Sequence, residues 1–288
     1  MSKAIHPHHR QVVKSYLQSA ALTVIELDID QTGRTDLTAL AGIEDLAAVA
    51  LQSPNFFGVI ENLEAAGTII HQENALFISS FTEPFAHGLL KSPGDCGADI
   101  VCGEGQSFGM APNFGGPGLG MFASRKKFQR SLPGRLVGET VDIEGRRGYV
   151  LTLSTREQHI RREKSTSNIR SNQGLCALTA AIYMATMGKT GLRTLAGINH
   201  DRATYLKNAL MKAGGSLLFS GPTFNEFTIS FKKDFTPVRQ RLQANNIIAG
   251  LDISRWYPAH VNTYLFCVTE TTAKNTLDTV IKEVQAWA

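Results

Sequence analysis

A chain of 288 residues, 43% hydrophobic and 19% charged, is long enough for one large domain or two smaller ones and has the composition of an ordinary globular protein. A net charge of +4 argues against a nucleic-acid binder, and no stretch is apolar for long enough to cross a bilayer. The opening residues, Met1-Ser2-Lys3-Ala4-Ile5-His6-Pro7, lack the apolar core of a secretory signal and the Arg/Ser-rich look of a transit peptide, which points to the cytoplasm.

Pro7 opens a helical stretch with apolar residues at Val12, Val13, Tyr16 and Leu17. Strands are expected over 22–29 and 46–51, the second ending at Gln52-Ser53-Pro54-Asn55. A helix over 63–72, a strand over 75–79 and a short strand over 100–102 follow. Alternation at this spacing implies βαβ units and a mostly parallel sheet. Strands over 118–123 and 149–153 come late in this part, and Asn172 is placed to cap an apolar helix over 175–187.

Beyond Leu192 the pattern changes to a helix over 200–213, a strand over 226–231, a helix from Pro237 to Ala244, a strand over 264–268 and an amphipathic helix over 272–287. The expected organisation is a large α/β domain over 1–191 and a small α+β domain over 192–288. No internal repeat or low-complexity segment is present.

Charge is unevenly spread. Residues 125–170 hold twelve Arg and Lys against five Asp and Glu, a surplus of seven positive charges. Such a segment can steer an anionic partner, or it can be a solvated face with internal ion pairs. The four cysteines, Cys96, Cys102, Cys176 and Cys267, form no Cys-x-x-Cys pair and no zinc spacing, and read as reduced structural thiols. His6, His8 and His9 have no acidic or thiol partner in sequence and read as solvated residues at a helix start, not as a metal site.

The densest local signal is Gly103-Glu104-Gly105-Gln106-Ser107-Phe108-Gly109, followed by Phe114-Gly115-Gly116-Pro117-Gly118-Leu119-Gly120. Glycines after a strand let backbone N–H groups approach a phosphate, but they also serve tight turns. The spacing is neither a dinucleotide fingerprint nor a Walker loop, which argues against NAD and ATP.

Together with Gln52-Ser53-Pro54-Asn55-Phe56-Phe57-Gly58, the run from Leu132 to Asp142, Gly145 to Leu153, and Thr155 to Lys164, this segment resembles the alpha subunits of glycine decarboxylase, the P-proteins of the glycine cleavage system. The resemblance extends from near Ile5 to the C-terminus and is strongest over 52–175. One departure is Arg170, where family members often carry cysteine. The resemblance implies a fold type I pyridoxal-phosphate architecture, α/β with a mostly parallel sheet and a small C-terminal α+β domain. It also implies that family subunits begin upstream of His6-Pro7, so that the N-terminal part of the large domain is expected to be missing.

The implied activity is glycine decarboxylation, with the aminomethyl group passed to the lipoyl arm of the H-protein. The implied cofactor, pyridoxal phosphate, is held by a homologous beta subunit. Such chemistry needs a lysine to hold the cofactor and an acid against its pyridine nitrogen. The strand ending at Ser79-Ser80 supplies no aspartate at its tip. Where beta subunits of the family carry His-Lys-Thr, this chain has Gly105-Gln106-Ser107, and a glutamine amide cannot serve as the attaching nucleophile. Lys91 belongs to a loop, so no catalytic residue is expected on this chain.

By resemblance, Gly115, Gly116 and Gly118 are candidates to approach the partner's cofactor phosphate, with Gln106 lining the vestigial pocket. Arg146, Arg147, Arg161 and Arg162 are candidates to guide an acidic H-protein. The rival reading is a non-catalytic remnant of the subunit with only a structural or interaction role.

Overall fold

The computed structural model describes residues 1–20, 22–132, 136–152, 158–165 and 173–288. Helix α1 (Pro7–Leu17) starts at a proline whose missing N–H costs nothing in the first turn, and the His6 ring nitrogen accepts from the His8 N–H at 3.2 Å. Its apolar side chains Val12, Val13 and Tyr16 face outward. Among the described residues the segment over 22–29 forms two isolated bridges, Leu27 parallel to Ser2 and Ile29 antiparallel to Thr35. The expected strand there is reduced to isolated bridges, since its parallel neighbour is only the short run Met1 to Lys3, joined by the Lys3 N–H to the Leu27 carbonyl and the Leu27 N–H to the Met1 carbonyl, both at 2.9 Å.

Strands β1 (Ala48–Gln52), β2 (Leu76–Phe81) and β3 (Ile100–Glu104) are parallel neighbours, and β4 (Gly120–Ser124) closes the sheet antiparallel to β3. Helix α2 (Leu63–Gln72) connects β1 to β2. Asn62 caps it by accepting the Ala65 N–H at 3.2 Å, and Leu63, Ala66, Gly67 and Ile70 form its buried face at helical spacing. Gly67 is required there, because a Cβ would lie 2.4 Å from the Cys96 carbonyl oxygen. The core beneath α2 is built from Val49, Leu51, Ile70, Phe77 and Ala98.

Strands β5 (Leu136–Val141) and β6 (Arg147–Thr152) make a separate antiparallel hairpin, and a single turn of helix, α3 (Gln158–Arg161), follows. The β5 strand was not expected. Asn172 and Arg170 lie outside the described residues. Helix α4 (Gly174–Lys212) carries one break, at Gly188 with φ +60° and ψ 179°, so two helical stretches adjoin there. The second stretch begins well before the expected 200, and Gly191 and Gly197 are accommodated inside it.

The last sheet is antiparallel in the order β7 (Ser216–Leu217), β8 (Glu226–Ser230), β10 (Thr263–Cys267), β9 (Leu251–Asp252). The second part of α4, α5 (Thr236–Ala244) and α6 (Lys274–Trp287) supply Leu206, Leu210, Leu242, Val280 and Val284 to a core with Phe227, Ile229 and Phe266. Phe227 and Phe266 are cross-strand partners whose rings stack 5.6 Å apart. Side chains alternate along β8, so Thr228 points the other way and donates to the Phe57 carbonyl at 3.0 Å. Phe57, Val59, Ile253 and Leu265 fill that second face, which binds the antiparallel sheet to the loop after β1.

Candidate functional site

In open α/β sheets ligands sit outside the carboxyl ends of the strands, so the tips of β1, β2 and β3 make up the candidate site. At the tip of β1, the buried Gln52 accepts from the His6 N–H at 2.9 Å and donates to the Pro54 carbonyl at 3.1 Å. This bond ties the start of α1 to the strand end. The His6 ring packs edge-on against Phe56 at 5.1 Å. Burial first, then His9, His8 and Arg10, lower its pKa from 6.5 to about 4. The solvated-helix-start expectation therefore fails for His6, whose neutral ring is part of a packed corner. Among the described residues no three His, Cys, Asp or Glu side chains converge as a metal site.

The tip of β2 adds a group that the sequence reading did not name. The strand runs two residues further than expected, to Phe81, and delivers an acid just beyond it, Glu83. Glu83 caps the 3-10 turn Pro84–Gly88, accepting from the Phe85 N–H at 3.0 Å, and its other oxygen accepts from the Ser107 hydroxyl at 3.0 Å. Burial pushes its pKa up, those two hydrogen bonds oppose the shift, and Glu270 adds to it. A Glu followed by Pro is a readable capping signal, and Glu83 stands two residues past the end of β2.

At the tip of β3, one oxygen of Glu104 accepts three backbone N–H groups of the glycine-rich segment. They are Gly105 at 3.0 Å, Gln106 at 2.9 Å and Leu119 at 2.8 Å. The Gly105 N–H is shared with the Leu119 carbonyl at 2.7 Å. Converging N–H groups form an anion nest, and here the nest is filled by the chain's own carboxylate.

The four candidate residues separate around this feature. Gln106 and Gly118 flank Glu104: the Gln106 N–H donates to it, and a Cβ on Gly118 would lie 3.0 Å from Glu104 Oε2. The Gln106 side-chain amide donates to the Ala111 carbonyl at 3.1 Å. Gly115, with φ +105°, and Gly116 lie on the exposed turn, with nothing within 4 Å of a Cβ at either.

Behind the tips the space is packed. Phe85 and Phe108 meet edge to face at 5.4 Å, and Ala180, Ala196 and Phe224 complete that buried cluster with Tyr183 against it. Next to Glu83 lies a second carboxylate, Glu226, on β8. Burial first and the Glu83 charge second push its pKa from 4.5 to about 7. Cys267 is its cross-strand partner and accepts from the Asn225 amide at 3.6 Å. All four cysteines are free thiols; Cys96 is buried, Cys102 and Cys176 are half-buried and Cys267 is exposed.

A cavity of about 420 Å³ opens elsewhere, between the 3-10 turn Thr38–Gly42 and α2. Its lining includes Arg34, Asp36, Leu40 and Glu61 but no residue of the glycine-rich segment. Of the basic candidates, Arg146 is held by Asp142 at 2.8 Å and Glu144 at 2.9 Å, and the Arg147 guanidinium lies over the Tyr149 ring at 5.7 Å.

Residues 1–284 match the family model described as glycine cleavage system P-protein. The chain is 57% identical over 288 residues to the Desulfotalea psychrophila protein named "Probable glycine dehydrogenase (decarboxylating) subunit 1", covering all of this chain and 64% of that protein. It is 46% identical over 286 residues to the protein of the same name from Anoxybacillus flavithermus, covering 99% of this chain and 63% of that one. It also superposes on a crystal structure of glycine decarboxylase (P-protein) of the glycine cleavage system in inhibitor-bound form, with a TM-score of 0.91 and 39% identity, over 100% of this chain and 64% of that one.

The chain belongs to the glycine cleavage system P-protein family.

It spans about 64% of the length of the curated relatives it matches. A NifS-like protein, 16% identical with a TM-score of 0.67, shares the fold alone. The architecture is the α/β fold of fold type I pyridoxal-phosphate enzymes, with a mostly parallel sheet.

The strand tips of this chain do not fit a covalently held pyridoxal phosphate. Position 106 is glutamine, its amide is engaged, and Phe85 and Phe108 pack behind it. Lys91 is exposed and pairs with Glu64 at 3.0 Å. Among the described residues no helix is long and apolar enough to cross a membrane.

Proposed function

We propose that this chain is the subunit without the cofactor lysine in a glycine decarboxylase of the glycine cleavage system, working in the cytoplasm in an alpha-beta pair that is itself doubled. With a beta subunit it decarboxylates glycine, and the aminomethyl group passes to the lipoyl arm of the H-protein. The observation that carries this reading is Gln106 at the tip of β3 in a P-protein family chain, with its amide tied to Ala111. Pyridoxal phosphate, held by the beta subunit, supplies the electron sink for loss of the glycine carboxylate.

This chain's residues then shape the boundary of the partner's site. Glu104 holds the glycine-rich segment from within, which leaves the open turn at Gly115 and Gly116 free to approach a phosphate carried by the other subunit. Gln106 and Gly118 set the shape of that turn through Glu104. Residues 1–191 form the large domain that carries this edge and 192–288 the small one. Arg147, Arg161 and Arg162 lend the positive field that draws in an acidic H-protein.

The test is spectroscopic. The chain mixed with pyridoxal phosphate alone is expected to give no visible absorption of lysine-bound cofactor, while its mixture with a cognate beta subunit gives one. Gly116→Trp is expected to lower cofactor affinity in the assembled pair. A strong lysine-bound band from this chain alone would overturn the reading.

A further inference from the structure

The cavity of about 420 Å³ beside α2 lies apart from the glycine-rich segment, and its size falls within the range of about 300–1,000 Å³ typical of small-molecule sites. Leu40, Leu51 and Ala66, all buried, make its inner wall, and Leu37 and Ile69 continue that apolar surface outward.

Charged groups share this lining. Glu61 is only 6% exposed, and its two oxygens are unequally used. Oε1 accepts the Thr35 N–H at 3.2 Å, the Thr35 hydroxyl at 2.9 Å and the Asn55 amide at 3.1 Å, whereas Oε2 accepts only the Thr35 N–H, at 3.0 Å. One Asp36 oxygen accepts the Thr38 N–H and hydroxyl at 2.9 and 2.7 Å, which fixes the carboxylate and leaves its other oxygen open. Arg34 is anchored through Nε, which donates to the Ile60 carbonyl at 3.0 Å. Its two terminal nitrogens have no hydrogen-bond partner among the described residues, and it closes on neither Glu61 nor Asp36 as an ion pair. Arg34 is nonetheless close enough to act on Glu61. Burial pushes that carboxyl up, and the Asn55 and Thr35 hydrogen bonds, then the Arg34 charge, oppose the shift.

A guanidinium and carboxylates held apart along one apolar cavity complement a ligand that carries both charges. A simple acid would meet Arg34 but also Asp30, Asp36, Glu61 and Glu73. A simple amine would leave the guanidinium desolvated and unpaired. We propose that this cavity binds a free α-amino acid with an apolar side chain. Its carboxylate sits on the terminal nitrogens of Arg34, its ammonium between Asp36 Oδ2 and Glu61 Oε2, and its side chain against Leu40, Leu51 and Ala66.

The experiment titrates L-leucine into the full chain by calorimetry, beside 3-methylbutylamine, which lacks the carboxylate, and 4-methylpentanoate, which lacks the ammonium. Leucine is expected to bind with a dissociation constant of about 1 mM or tighter, and each truncated probe about tenfold or more weakly than leucine. Arg34→Gln should weaken leucine about tenfold and leave the amine unchanged, whereas Asp36→Asn, which keeps an acceptor for Thr38, should weaken both. Ile69→Trp, on the exposed side of α2, should fill the cavity and abolish binding with the urea midpoint unchanged. No heat from leucine up to about 10 mM would overturn the proposal. So would a truncated probe that binds as tightly as leucine, or leucine binding that survives both Arg34→Gln and Ile69→Trp.

Discussion

Removing the Glu104 carboxylate tests whether the glycine-rich segment is held by an internal anion. In Glu104→Ala the N–H groups of Gly105, Gln106 and Leu119 lose their shared acceptor. A hydrogen bond to a charged group contributes about 1.5–3 kcal/mol. The Gly105 N–H keeps the Leu119 carbonyl, and the site is partly exposed, so water replaces some of what is lost. Together these leave about 2–4 kcal/mol of destabilisation.

Glu104→Gln keeps a carbonyl oxygen in place and loses only the charge, which points to about 1 kcal/mol. Urea unfolding followed by circular dichroism reads the difference. With a slope near 3 kcal/mol per molar, Glu104→Ala moves the midpoint down by about 1 M, and Glu104→Gln falls between it and the native chain. Because an opened nest attracts anions, inorganic phosphate is expected to raise the midpoint of Glu104→Ala more than that of the native chain. A Glu104→Ala midpoint within error of the native one would refute the reasoning.

Gly58→Ala is expected to cost about 3 kcal/mol or more, since φ there is +82° and a Cβ would stand 2.2 Å from the Glu226 carbonyl; the urea midpoint measures it. Glu226 has a folded pKa of about 7 against 4.5 when unfolded, so the native chain's stability is fully present below 4.5 and declines as pH rises to about 7. Glu226→Gln removes that decline, and its midpoint should gain on the native one across this window and then run parallel. His6 has its folded pKa lowered from 6.5 to about 4, so its contribution is present above 6.5 and is lost as pH falls toward 4. An NMR titration of His6 with a midpoint near 6.5 would contradict the packed-corner account.

Local pattern made much of the fold legible. The parallel core strands announced themselves as short apolar runs, α2 by its periodicity and its Asn62 cap, and the antiparallel sheet by strands separated by Pro237 and the C-terminal helix. What escaped reading depends on partners distant in sequence. The 22–29 segment has strand composition but finds only short partners, at Ser2 and Thr35, whereas Gly138 and Glu139 hide a true strand, β5, whose partner lies across a turn. Glu83 was missed because β2 extends through Ser80 to Phe81.

The candidate site was legible in its glycines and in Gln106. Glu104 sat in the same motif unremarked, because its role arises only when residues 105–106 and 119 are folded onto one oxygen.

The most direct test of the central claim is glycine–bicarbonate carboxyl exchange with this chain, a cognate beta subunit, the H-protein and pyridoxal phosphate, each protein omitted in turn. The account predicts exchange in the full mixture and its loss when this chain alone is left out. Exchange that proceeds equally well without this chain, or a full mixture that shows none where a family alpha subunit restores it, would contradict the account.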